Sequence, residues 1–279
     1  MDLCNYHSHC DFCDGKAPAE AFVKAAIAAG FHSYGISSHS PLPFRTSWSL
    51  NREDVPAYLK EVERLKKAYA HEIELYVGME IDYLNDSWNP SIAYFQELPL
   101  DYRIGSVHFV ENGKGEIMDM DGPFDEFRQN LQNLFKGDLK RLVEAYFEAS
   151  MRMVEAGGFD FIAHADKIAM NASLVDNTIT ETPWYGEKIR DYFALIAEKG
   201  IMVEVNTKAY RRLGIMFPNR RYFKWLNDLG IRFLVNSDSH LPDLVNDGRA
   251  LAFEWLREAG VKTTVHLHEG KWEEVPISI

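Results

Sequence analysis

Asn5-Tyr6-His7-Ser8-His9 follows a short apolar run, and an extended strand would point both of its histidines the same way. The same chemistry recurs downstream at what read as strand ends. His39 lies in Ile36-Ser37-Ser38-His39-Ser40, Glu80 in Val77-Gly78-Met79-Glu80 and His108 in Gly105-Ser106-Val107-His108. His164 follows in Phe161-Ile162-Ala163-His164, and Asp238 with His240 in Asn236-Ser237-Asp238-Ser239-His240. Of seven readable strand ends, six carry a group able to bind a hard or borderline metal ion. A histidine at one strand end carries little information. Repeated in successive β–α units, such groups converge on one end of a barrel, where these folds place their chemistry.

Working outward, the pattern alternates β-type runs with amphipathic helical stretches, the mark of a mostly parallel sheet flanked by helices. Strands are expected near 2–6, 33–37, 73–80, 102–107, 159–163, 201–205 and 231–236, with a tail strand at 261–267. Helices are expected from Pro18 to Gly30 and near 53–70, 90–97, 124–135, 138–156, 184–199, 219–229 and 242–259. Asn51 and Asp138 read as caps, and Glu111-Asn112-Gly113-Lys114-Gly115 as a hairpin tip. No linker or fixed-period repeat divides the chain. The expected architecture is a distorted α/β barrel of seven or eight strands forming a single domain over 1–279, with an open doubly wound sheet as the alternative.

At 279 residues the chain is long enough for one large core. The net charge of -12 argues against a nucleic-acid partner, because phosphate-backbone contacts need a basic surface. It leaves room for a small phosphorylated metabolite, since bound metals supply local positive charge. No apolar run approaches the ~20 residues that span a bilayer, and residues 1–20 lack a signal-peptide pattern. Three cysteines fit a reducing compartment, so a cytoplasmic location and no membrane partner are expected. Oligomeric state is not readable from composition.

His7 and His9 can grip one ion. His266-Leu267-His268 repeats their spacing beyond the last helix with no acidic partner at a strand end, and reads as surface structure. Glu80 ends an apolar strand, where an unpaired carboxylate is costly to bury, so bridging two metals is a stronger reading than a salt bridge. Asp238 and His240 share one side of an extended segment, and Asp14 lies in the loop after His9. Cys10 and Cys13 form a lone C-x-x-C, a weak signal for zinc or redox chemistry; His32 and His71 read as scaffold. Lys167, Asn206, Lys208 and Arg211 are the candidates for binding an anion, with Arg211 preferred over Arg212. Trp48, Phe44, Phe109 and Tyr210 are candidate pocket walls.

With these pieces placed, the sequence resembles the polymerase-and-histidinol-phosphatase (PHP) superfamily, and within it the monofunctional histidinol-phosphate phosphatases. The matching stretches are His7-Ser8-His9, Ser38-His39, Gly78 to Tyr83, Asp101 to Phe109, Ala163 to Lys167, Val203 to Thr207 and Asn236 to His240. The resemblance implies an α/β fold of the distorted (β/α)7 barrel type with three divalent metal ions, zinc, manganese or iron. The first would take His7, His9, Glu80 and Asp238, the second Glu80, His108 and His164, the third Asp14, His39 and His240. It further implies hydrolysis of a phosphomonoester, histidinol phosphate in histidine biosynthesis, by water activated between two ions, with Glu80, Asp238 and His240 as the catalytic residues. The phosphatase branch often has an Arg where Ala169 falls, which leaves Lys167 as a substitute. A metal-dependent amidohydrolase and a non-catalytic phosphometabolite-binding module are the competing readings.

Overall fold

The computed structural model describes residues 3–277. Its strands are β1 (Leu3–Asn5), β2 (Phe31–Ile36), β3 (Glu74–Val77), β4 (Glu80–Asp82), β5 (Ile104–Ser106), β6 (Phe109–Glu111), β7 (Ile117–Asp119), β8 (Phe161–Ile162), β9 (Met202–Asn206), β10 (Phe233–Asn236), β11 (Thr263–His268) and β12 (Lys271–Pro276). β1, β2 and β3 pair in parallel as one sheet, and β4, β5, β8, β9 and β10 as another. β3 and β4 are two halves of one expected strand, broken at Gly78-Met79, so that the first half pairs with β2 and the second with β5. A Cβ on Gly78 would lie 2.2 Å from Cζ of Tyr102, so this close approach requires glycine.

Neither sheet closes on itself. The ring is completed by isolated parallel bridges, His39 with Glu80 and Ser8 with Ser239, which gives a distorted barrel rather than a continuous one. Side chains take over where the ladder between β1 and β10 is missing. Asn236 Oδ1 accepts from the Tyr6 N–H at 2.9 Å, and Asn5 Oδ1 accepts from the Ser237 N–H at 3.2 Å. The wholly buried Arg249 guanidinium donates to the carbonyls of Cys4 and Val235, one from each edge, between the rings of Phe31 and Phe253.

Outside the strands lie α1 (Ala19–Ala28), α2 (Val55–Ala68), α3 (Ala93–Gln96), α4 (Phe124–Phe135), α5 (Leu139–Ala156), α6 (Ile168–Val175), α7 (Pro183–Lys199), α8 (Tyr210–Leu213), α9 (Phe223–Asp228) and α10 (Arg249–Glu258). α5 illustrates their logic. Asp138 caps it by accepting from the Arg141 N–H at 2.9 Å, and Leu142, Val143, Tyr146, Phe147, Met153 and Val154 form its buried face.

Several expectations need correction. α3 is a single turn, and α6 was not anticipated. The helix expected over 242–259 is split: a 3-10 turn at Pro242–Leu244, then α10 after Gly248 at φ 70°. Asn51 does not cap; its side chain donates to Asp54 instead. The tail strand is half of an antiparallel hairpin, β11–β12, that plugs the barrel floor. There Val265 and Leu267 join Tyr6, Tyr102 and Phe161 in one cluster, and Trp272 Nε1 donates to Asp160 at 2.9 Å. His266 is therefore buried, against the surface reading, while His268 is exposed and faces Glu74. Hydrophobic packing of the plug overrides the polar look of that pair.

Arg249→Met should lower the unfolding free energy by about 2–6 kcal/mol, because two buried carbonyls lose their donor at roughly 1–3 kcal/mol each. Urea unfolding measures this; an unchanged midpoint would show that the seam does not depend on the guanidinium.

Candidate metal centre

Short strands deliver the candidate ligands to one rim. His7 and His9 lie just beyond β1, His39 beyond β2, Glu80 at the start of β4, His108 beyond β5, His164 beyond β8, and Asp238 with His240 beyond β10. Together with Asp14, all nine expected ligands converge. His7, His9 and Glu80 are completely buried, and Asp14 and His240 stand half-buried at the mouth.

Glu80 is the meeting point. Its Oε2 lies 3.2 Å from His7 Nε2, 3.5 Å from His9 Nε2 and 2.9 Å from His39 Nδ1. Its Oε1 lies 2.9 Å from His164 Nε2 and 3.6 Å from His108 Nε2. Asp238 Oδ1 is 3.2 Å from His9 Nε2, while Asp14 Oδ1 is 3.1 Å from His240 Nε2 and 3.7 Å from His39 Nε2. Three groups have donor atoms mutually within 4.8 Å: His9 with Asp14, His39 and His240; His7 with His9 and Glu80; His39 with Glu80 and His108.

These atoms are close without being satisfied. His7 Nε2, His9 Nε2, His39 Nδ1, Asp14 Oδ1 and Glu80 Oε2 are buried and make no hydrogen bond. Native interiors rarely leave buried polar atoms unpaired, and a cluster of five is what a shared cation would resolve. Nitrogen and carboxylate donors without thiolate suit zinc, manganese or iron.

Electrostatics point the same way. Burial opposes the charge on Glu80, yet His7, His39 and His108 hold it well below the usual carboxylate range. Burial likewise opposes the charge on Asp238, and Lys208 and His7 pull its pKa well down. Burial with His39 and His240 holds His9 below its ordinary value, and burial with Lys167 brings His164 to about 4, so both are neutral imidazoles ready to donate a lone pair. Burial would also lower His108, but Asp82 and Glu80 outweigh it and push it to about 9. That excess of negative charge is what metal cations would offset.

A second layer of carboxylates aims the rings. Both Glu204 oxygens lie 2.9–3.0 Å from His7 Nδ1, leaving Nε2 to face the cluster. Asp82 Oδ1 does the same for His108 Nδ1 at 2.9 Å and also accepts from its backbone N–H at 3.0 Å. Outer carboxylates of this kind fix ring orientation and raise ligand basicity. The backbone is bent to the same end: His164 at φ 25° and Asp238 at φ 47° occupy a region unfavourable to side-chain-bearing residues, a strain found at functional sites. Glu204 and Asp82 were not singled out from sequence, although an acid inside the apolar run Met202-Val203-Glu204-Val205 was the available signal.

The anion-binding candidates divide. Arg211 is exposed on α8 and lines a cavity of about 540 Å³ with Lys167, Lys208 and Arg212. Lys167 is buried and paired to Asp121 at 2.7 Å, and Lys208 Nζ lies 3.2 Å from Asp238 Oδ1. Asn206 also lines this cavity, and its amide donates to Glu204 at 2.7 Å and Asp238 at 3.1 Å, so it positions carboxylates as well. A second cavity of about 550 Å³ is lined by Asp14, His39, Trp48, His108, Asp119, Asp121 and Glu126 and shares Lys208 and Asp121 with the first. Trp48 stacks on Phe109, which meets Phe44 edge-on, whereas Tyr210 packs against Trp255 and is not a wall.

Glu204→Gln should weaken zinc binding by about 10–100-fold, the usual cost of losing an outer carboxylate. Competition with a chelator reads this directly, and unaltered affinity would remove Glu204 from the site.

A sequence model of the PHP domain matches residues 5–208. A Deinococcus radiodurans protein named probable histidinol-phosphatase is 26% identical, with 95% of this chain aligned to 97% of that protein. Among solved structures, a candidate histidinol phosphatase from Listeria monocytogenes superposes with a TM-score of 0.78 at 23% identity, covering 89% of this chain and 99% of its own. The Lactococcus lactis histidinol phosphate phosphatase, solved with zinc, L-histidinol and phosphate, gives 0.73 at 21% identity, covering 97% and 98%. With the expected folding pattern in place and the model spanning most of the sequence, the chain belongs to the PHP domain family.

Proposed function

We propose that the chain is a metal-dependent phosphomonoesterase that hydrolyses L-histidinol phosphate in a cytoplasmic pathway of histidine synthesis. The observation that carries this reading is the ring of five imidazoles around Glu80, set between two chambers of opposite character. The names of the Deinococcus and Lactococcus relatives and the zinc, L-histidinol and phosphate of the latter support it. Three cysteines without a disulfide fit the compartment.

His7, His9, Glu80 and Asp238 would hold one ion, Glu80, His108 and His164 a second, and Asp14, His39 and His240 a third. When bound, such ions acidify water and withdraw charge from phosphoryl oxygens. The protein's own groups do the rest. Arg211, Lys208 and Lys167 line the cationic chamber and would hold the phosphoryl oxygens by charge-assisted hydrogen bonds. Asp119, Asp121 and Glu126 give the other chamber a negative wall beside the Trp48 ring, suited to a leaving alcohol that carries an ammonium and a flat heterocycle. His240 and Asp14 stand half-buried at the mouth, so solvent admitted beside them would protonate the departing alkoxide. Nothing in an amidohydrolase or a non-catalytic binding module requires this pairing of a cationic with an acidic chamber.

Metal analysis and a phosphoester screen test the proposal. L-histidinol phosphate should be turned over and a chelator should stop it. Asp238→Asn should cost about 100-fold or more in kcat with metal loss, and Arg211→Ala should raise KM about 10-fold. Glu126→Gln should raise KM for L-histidinol phosphate while leaving that for a neutral aryl phosphate unchanged. Hydrolysis of amides with no phosphoester turnover would sink the reading.

A further inference from the structure

The candidate ligand rings differ in what holds their outer nitrogen. His7 has Glu204 and His108 has Asp82, both carboxylates at hydrogen-bond distance. The outer Nδ1 of His240 lies 3.0 Å from the Asp238 carbonyl. His9 is the exception: its Nδ1 lies 3.6 Å from the Sγ of Cys13. That sulfur in turn donates to the backbone carbonyl of Cys10 at 3.5 Å. With its proton committed to Cys10, the thiol has only lone pairs to offer the ring. His9 must then carry its proton on Nδ1, and the bare Nε2 faces Asp238 and Glu80 at 3.2 and 3.5 Å.

His9 is also the pivot of the cluster. It belongs to two of the three groups of convergent donors, stacks on His240 at 4.2 Å between ring centroids and lies equally close to His39. We propose that Cys13 is a positioning residue: its thiol fixes the tautomer and tilt of His9 and thereby sets the metal affinity of the site that His9 forms with His7, Glu80 and Asp238. Because a neutral thiol lends an imidazole less basicity than a carboxylate does, His9 is a weaker donor than His7 or His108. Cys13 itself is not a ligand; it stands behind His9, and the convergent donor groups contain no sulfur. The inference rests on the metal centre of the proposed function and not on its substrate.

The test uses the full chain, stripped of metal and titrated with zinc against a competing chelator. Cys13→Ala should weaken the site that includes His9 by about 10–100-fold and leave at least one zinc bound as in the wild type. Cys13→Ser, which can donate to Cys10 and accept from the ring, should recover most of the loss, and Cys13→Asp should bind more tightly than the wild type. Nitrogen NMR of the zinc-loaded wild type should show His9 protonated at Nδ1. Unchanged zinc affinity in Cys13→Ala, or a proton on Nε2 of His9, would overturn the proposal. So would a thiolate-to-metal absorption band in the cobalt-loaded wild type. These readouts require no turnover, so a failed phosphatase screen with the expected zinc series would reject the substrate and keep the role of Cys13. If Cys13→Ala does not fold, the wild-type NMR and cobalt spectra decide alone.

Discussion

A carboxylate with no solvent contact holds this structure's centre together. Glu204 is completely buried on β9, and it accepts from His7 Nδ1 on the β1 side, the His164 backbone N–H beyond β8, Asn206 on its own strand and Asn236 on β10. Removing such a charge from water costs several kcal/mol unless hydrogen bonds replace its hydration. Here the donors come from four neighbouring segments, so the carboxylate is stable only when those segments are in register. Burial opposes its ionisation, and the His7 ring beside it holds it charged. The group that joins the strands therefore also aims a candidate metal ligand, and fold and site share one constraint.

The same economy recurs around the rim. Asp82 clamps both the ring and the backbone of His108, and Asn206 spans Glu204 and Asp238. His7, His108 and Asp238 are thus fixed by groups further from the centre, which is how a site holds sub-ångström geometry on short strands. Charge is then segregated around this rigid core: cations from the segment after β9 on one side, acids from the segment after β7 on the other. The overall charge of -12 hides this division, which is why composition alone says little about the kind of molecule the site accepts.

Much of this was legible in the sequence for a simple reason. Ligands at strand ends obey the topology, so His7, His39, His108, His164 and Asp238 could be placed once the strands were read. What escaped depended on tertiary packing. Glu204 and Asp82 point into the interior among apolar neighbours, and only the structure shows which histidines they meet. Lys167 reads from sequence as an anion ligand, and its ion pair with Asp121, on a different segment, is visible only in the structure. His266 looked superficial because hydrophilicity was judged before the β11–β12 plug was known, and α10 starts late because Gly248 turns the chain so that Arg249 can enter the seam. Tyr210 packs edge-on against Trp255, a contact between distant segments that sequence does not reveal.

The seam between β1 and β10 has a bearing on how the molecule comes into being. Its two edges supply His7 and His9 from one end of the sequence and Asp238 and His240 from the other, and they are joined by Asn5, Asn236 and Arg249 rather than by a ladder. A partial chain emerging from a ribosome can hold Glu80, His108 and His164, yet it lacks the Asp238 and His240 that the other two ligand sets need. Filling of the whole centre thus becomes the last event of maturation, and a nascent or truncated polypeptide is poorly equipped to sequester the full complement of scarce cations before it is able to use them.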